Sequence, residues 1–306
     1  MSGAVLIDSL VRSLQVGSLY ALMAIGITLT MSVMKLPNFA HAEYITAGAY
    51  AALIVSISVS AHPLVVIVVA FAASALVALF SHYVCYRPLE KQKSSRYTML
   101  LASFAVGLIL RYILFLFVDR YDLFDRRIQI PLEIWYRSPT IILTNIFFWV
   151  VPTSIILVIA LSSLLKYTPL GREMRALAAN TELARVIGIR VERVKSLTWL
   201  LVGGLAGVAG ALWGIYSTVH PLTGWLAILS VFAAAILGGL SSFVGTILGA
   251  YVVSLSENTL MQVLNHYFGL DFSFKPAIPF IIILIVLFLR PQGFTELFRR
   301  AARLER

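Results

Sequence analysis

Between two apolar runs stands the segment Lys35-Leu36-Pro37-Asn38-Phe39-Ala40-His41-Ala42-Glu43-Tyr44, which brings an amide, an imidazole and a carboxylate close together. Pro37 has no N–H to donate and disfavours helix at Leu36, so a helix entering this segment is expected to break there. A break frees backbone carbonyls and amides. At membrane depth such groups are tolerated only beside protein or a water-filled cavity. Discontinuous helices of this kind mark solute routes in transporters, with Asn38, His41 and Glu43 supplying donors and acceptors. An ordinary polar loop between two spans has the same composition, and both readings stand at this point.

Ionisable groups inside the apolar runs are few. Glu257 with Asn258 lies in a long run from Leu226 to Leu264, and Arg111 lies within Thr98 to Val118. Each such charge costs at least ~2.5 kcal/mol at mid-bilayer and tends to be kept for a function. Arg111 is about two helical turns from the end of its run, so a long side chain reaching outward to the interface accounts for it. Glu257 is too short for that. It is expected to face the bundle interior, either bonded to a neighbouring helix or lining a route. Gly203, Gly207, Gly210 and Gly214 share one helix face, and Gly245 with Gly249 repeats the spacing; both read as close helix contacts.

The long basic segment from 165 to 196 carries the clearest punctuation. Thr168 and Pro169 have the types of an N-cap and first helical position. Asn180 is placed to cap a second short helix with Glu182 in its first turn, and Gly188 to end it in a left-handed conformation. That second helix would put Leu183, Ala184 and Ile187 on one face. A short amphipathic element just outside the membrane lies on lipid, docks into a partner's groove or stays a solvated loop.

These residues need a scaffold, and the composition specifies its kind. Of 306 residues 60% are apolar and 12% charged, with a mean hydropathy of +0.91. A water-soluble globule is excluded. Apolar runs of about 20 residues point to an all-α, polytopic transmembrane helical bundle, since a β-barrel shows alternating segments of about ten. Clear runs are Leu14 to Met34, Pro63 to Val84, Thr98 to Val118, Ile141 to Leu164, Leu197 to Thr218 and Ala277 to Leu289. Tyr44 to Ala61 is shorter, and Leu226 to Leu264 divides at Gly238, Gly239, Ser241 and Ser242. The expected total is eight or nine membrane segments, including a broken or re-entrant helix, in a single transmembrane domain over 1–306. The first run lacks a clear cleavage site and reads as a retained anchor.

Lys and Arg set the orientation. The loop 85–97 holds four against one acid, 165–196 seven against three, and the tail from Arg290 five against two. All three are expected in the cytoplasm. The segments 119–140 and 265–276 are balanced and are expected outside. A Gly-Ala-Tyr triad at 48–50 and again at 249–251 hints at internal repetition. The lone Cys85 forms no internal disulfide. No His-Glu-x-x-His, Gly-x-Ser-x-Gly or P-loop sequence occurs, and the five histidines are scattered.

Taken together, Thr168-Pro169-Leu170-Gly171-Arg172 with Arg175-Ala176, followed by Asn180, Glu182, Ala184-Arg185 and Gly188-Ile189, resembles the cytoplasmic coupling loop of branched-chain amino-acid ABC transporter permeases of the LivH type. The likeness extends to Gly17 through Leu22, the Asn38 to Glu43 break, Ala233 to Gly239 and Arg290-Pro291-Gln292-Gly293-Phe294. Ala42 stands where the family is expected to have Gly. The resemblance implies a multi-pass permease of a bacterial inner membrane, with its C-terminus in the cytoplasm. It would pair with a second permease subunit, two cytoplasmic ATP-binding subunits and a periplasmic solute-binding protein, within membrane lipid. It implies no cofactor, metal, nucleic acid or ATPase site of its own. Gly171, Arg172, Arg175, Asn180, Glu182, Arg185 and Gly188 would contact the ATPase, while Asn38, His41, Glu43, Glu257 and Asn258 would line or gate the route. An ion-coupled secondary carrier of a small polar solute is the alternative.

Overall fold

The computed structural model describes residues 3–59, 62–131, 133–138 and 142–289. The chain enters on α1 (Gly3–Leu29), whose last turn loosens into a π-helical turn over Thr30–Met34. After the break come α2 (His41–Ser58), α3 (Pro63–Ser81), a π-turn over His82–Tyr86, and the short α4 (Arg87–Lys91). The long α5 (Arg96–Arg120) leads to a hairpin of β1 (Ile134–Arg137) and β2 (Ile142–Thr144). Next are α6 (Asn145–Tyr167), α7 (Pro169–Ala179), α8 (Thr181–Val186), α9 (Val191–Tyr216) and α10 (Thr223–Gly238). The run closes with α11 (Phe243–Leu255), a π-turn over Ser256–Leu260, α12 (Met261–Phe268) and α13 (Ala277–Leu289).

Five described segments are long and apolar enough to cross a membrane: Val5–Met34, Pro63–Lys91, Arg96–Arg120, Asn145–Tyr167 and Val191–Tyr216; α10 and α13 are shorter apolar helices. The hairpin is an addition to the all-α expectation. Its strands are antiparallel, with Tyr136 opposite Leu143 and Arg137 opposite Ile142, and Ile134, Trp135 and Tyr136 are the β-branched and aromatic types that favour strands. It also absorbs the start of the run expected from Ile141, so α6 begins at Asn145.

The contacts divide the chain into two compact units, one of residues 1–28, 131–155 and 229–306, the other of residues 29–130 and 156–228. In the second unit α2, α3 and α9 pack so closely that side chains are excluded at the crossings. A Cβ on Gly48 would collide with the Gly207 backbone, one on Gly207 with the Ala70 carbonyl, and one on Gly210 with the Ile45 carbonyl. Helices that lack a hydrophobic driving force in lipid gain their attraction from such contact. In the first unit the break expected at Gly238 is present. Gly239 and Leu240 take positive φ (93° and 53°), Ser242 caps α11 by accepting the Gly245 N–H at 3.1 Å, and Gly245 and Gly249 lie against the α10 backbone at Gly238 and Ala234.

Candidate functional site

In the unit of residues 29–130 and 156–228 the chain breaks where Pro37 requires it. Lys35 ends the π-turn in a left-handed conformation with φ 55°. Asn38 then builds the entry to α2: its Oδ1 accepts the Ala40 N–H at 3.1 Å and the Tyr86 hydroxyl at 3.1 Å. Its Nδ2 has no partner among the described residues. Ser103 of α5 fastens the same turn by accepting the Phe39 N–H at 3.2 Å. Asn38 and His41 are fully buried. Beneath them lies an aromatic stack in which Tyr86 lies flat on Trp199 at 4.6 Å between centroids, with His82 stacked on that indole at 5.9 Å and Tyr44 set edge-on. Ala42 sits inside α2 without positive φ, so alanine is accommodated there. The close approach falls to Gly224, whose Cβ would collide with the Ala42 carbonyl.

Glu43 occupies the first turn of α2 and is 2% exposed. One of its oxygens, Oε1, accepts from Arg111 Nε at 2.9 Å and Nη2 at 2.6 Å. The other, Oε2, has no partner among the described residues. Arg111 also lies over the Trp225 ring at 4.1 Å from its centroid. The expected outward reach of Arg111 is therefore corrected. Burying a guanidinium against a carboxylate and an indole face satisfies it better than the hydrocarbon boundary does.

The segment 165–196 folds as two capped helices. Thr168 Oγ1 accepts the Gly171 N–H at 3.1 Å, and Asn180 Oδ1 accepts the Leu183 N–H at 3.0 Å. Gly188 takes φ +87°, and the N–H of Ile189 returns to the Ala184 carbonyl at 3.0 Å, which closes the C-terminus of α8. Gly171 is buried where a Cβ would collide with the carbonyls of Leu164 and Leu165, while Arg172 and Arg175 are exposed. Leu183, Ala184 and Ile187 do not share a face as expected: Ala184 turns inward, whereas Leu183, Val186 and Ile187 are exposed apolar groups. Glu182 and Arg185 pair at 3.2 Å.

The other unit holds Glu257 and Asn258 on the π-turn after α11. Glu257 is 3% exposed and accepts from the Tyr20 hydroxyl at 2.8 Å and the Ser230 hydroxyl at 2.5 Å. Asn258 donates to the Ser254 carbonyl at 2.9 Å and accepts from Lys275 Nζ at 2.8 Å. Burial holds the Lys275 ammonium below the usual lysine range. Glu257, Asn258 and Lys275 line a polar cavity of about 330 Å³ with Asp8 and Arg12, which themselves pair at 2.9 Å. Among the described residues no cluster of His, Cys, Asp and Glu is able to hold a metal ion.

A family model described as Branched-chain amino acid transport system / permease component matches residues 9–288. The chain belongs to this family. The Probable branched-chain amino acid transport permease protein LivH of Methanocaldococcus jannaschii is 32% identical over 280 residues, covering 91% of this chain and 89% of that protein. The High-affinity branched-chain amino acid transport system permease protein LivH of Escherichia coli is 27% identical over 301 residues, covering 94% of each. Among solved structures, PsaBC from Streptococcus pneumoniae in complex with Fab matches at 14% identity and a TM-score of 0.48, covering 95% of this chain and 94% of that one.

Within this permease-family chain the expected site residues fall into three groups. Asn38, His41 and Glu43 come together at the break, Glu257 and Asn258 share a cavity in the other unit, and Gly171 through Gly188 lie on the capped pair. Reading by sequence marks Arg111 but not its pairing with Glu43, and it misses Trp225, Tyr86 and Trp199 altogether. The signal available is charge balance: a carboxylate at the membrane-depth break and a lone guanidinium in an apolar run each need a partner. The closing segment Arg290 to Phe294 lies outside the described residues.

Proposed function

We propose that this chain is an inner-membrane permease subunit of a bacterial ABC importer, moving branched-chain or related amino acids by alternating access. What carries this reading is the family match over residues 9–288. Its partners are a second permease subunit, two cytoplasmic ATP-binding subunits and a periplasmic solute-binding protein. Segment 165–196 is the coupling element: two rigidly capped helices present Leu183, Val186 and Ile187 outward, as an element seated in a partner's groove must.

Nine spans with an external N-terminus and a cytoplasmic C-terminus fit best. Two cavities support this count. Lys35 lines one together with Arg96, Arg185 and Lys195 of the basic segments, so α2 would cross fully from the cytoplasmic side. Asp8 and Arg12 line the other together with Lys275 of the balanced segment. The Asn38 to Glu43 break would then be a gate at the cytoplasmic end, held shut by its buried contacts, and Glu257 and Asn258 would belong to the external end.

Single cysteines at Glu182 and Arg185, in a Cys85→Ser background, test the coupling role in the assembled importer. Cross-links to the ATP-binding subunits are expected. Their absence from a complex that transports, or labelling of position 185 by an impermeant reagent outside intact cells, overturns it.

A further inference from the structure

A cavity of about 310 Å³ lies between the helix break, the start of α5 and α8. Four cations line it. Lys195 is paired with Glu90 at 2.9 Å and Arg185 with Glu182 at 3.2 Å, whereas Lys35 and Arg96 have no carboxylate partner among the described residues. Both unpaired cations flank an apolar run of the sequence: Leu14 to Met34 ends just before Lys35, and Thr98 to Val118 begins just after Arg96. That is the level of lipid head groups.

A second, apolar groove of about 510 Å³ is lined by Leu89, Ala102, Val106 and Ile109. Leu89 adjoins Glu90 of the basic cavity, and Ala102 is one turn along α5 from its Met99, on the same helix face. A paired basic cavity and apolar groove match a ligand with an anionic head and a hydrocarbon tail; a free phosphate would use only the first. We infer that this is a binding site for an anionic phospholipid, its phosphate held by Lys35 and Arg96 and one acyl chain in the groove. Because Thr181, Glu182 and Arg185 of α8 line the same cavity as Lys35, a bound head group bridges the break and the capped helices. Assignment to the cytoplasmic leaflet rests on the nine-span reading; the site itself does not.

The test uses the complete chain in nanodiscs of phosphatidylcholine with or without phosphatidylglycerol, so both leaflets are alike and topology does not enter. Native mass spectrometry reads the lipid retained. Two interfacial cations at about 1 kcal/mol each correspond to roughly 30-fold preferential retention of phosphatidylglycerol. Lys35→Gln with Arg96→Gln should abolish the preference, and Lys91→Gln with Lys93→Gln, the same charge change outside the cavity, should keep it. Ala102→Trp, which fills the groove, should lower retention with the cations intact, and this variant decides if the first pair fails to fold. Equal retention of both lipids, or equal loss in both lysine-bearing double variants, overturns the site. Full competition by inorganic phosphate overturns the lipid assignment in favour of a free anion.

Discussion

The Glu43–Arg111 pair should behave as a unit whose halves are worth more to each other than to the fold. Side-chain exposures of 2% and 11% leave little water to screen the pair, and one carboxylate oxygen takes both Nε and Nη2. Arg111→Met strands a buried carboxylate and should cost about 3–5 kcal/mol. Glu43→Leu should cost about 1–2 kcal/mol less, because the guanidinium keeps Trp225 at 4.1 Å and a desolvated cation–π contact is worth about that much. Removing both charges, as Glu43→Leu with Arg111→Met, should return stability to within about 1 kcal/mol of wild type, since apolar replacement of a buried pair is often neutral. Thermal midpoints of the assembled complex, followed by size-exclusion chromatography, give the double-mutant cycle. If the double variant loses as much as the two singles together, the pair is not coupled and the reasoning fails. Uptake by the stable double variant then separates roles: full transport would make Glu43 a structural partner and remove it from the gate.

Gly188→Val places a β-branched residue at φ +87°, so it should unseat the end of α8 and lower transport several-fold while membrane insertion stays normal; immunoblot and uptake check both. Asn38→Ser should slow transport with complex assembly unchanged, whereas Asn38→Asp keeps an acceptor for Ala40 and Tyr86 but buries an unpaired charge and should lower both transport and assembly, as co-purification would reveal. Gly207→Leu should prevent folding of its unit, because the Ala70 carbonyl and Ser74 occupy the space; Gly3→Leu, with open space around it, should be neutral by the same chromatographic assay.

Features legible in the sequence were those made by short-range bonds. Thr168, Asn180 and Gly188 act at fixed offsets along one chain, so residue type alone locates the caps. Pro37 and the Gly/Ser cluster at 238–242 likewise announce breaks through backbone chemistry. Other features depend on residues distant in sequence. Arg111 meets Glu43 across 68 positions, and Tyr20 reaches Glu257 across 237; no periodicity encodes such pairings. The face of α8 is not legible either, because burial of Ala184 is set by packing outside that helix. The strands at 134–137 and 142–144 leave little trace in the sequence, because both are short, the first lies within the polar segment 119–140 and the second merges with the apolar run from Ile141.

Solute uptake into proteoliposomes holding the assembled importer and its binding protein tests the central claim most directly. Radiolabelled leucine should accumulate only when ATP is supplied on the side of the ATP-binding subunits, and a proton or sodium gradient alone should drive none. Accumulation driven by an ion gradient in the absence of ATP would contradict the account and identify a secondary carrier instead.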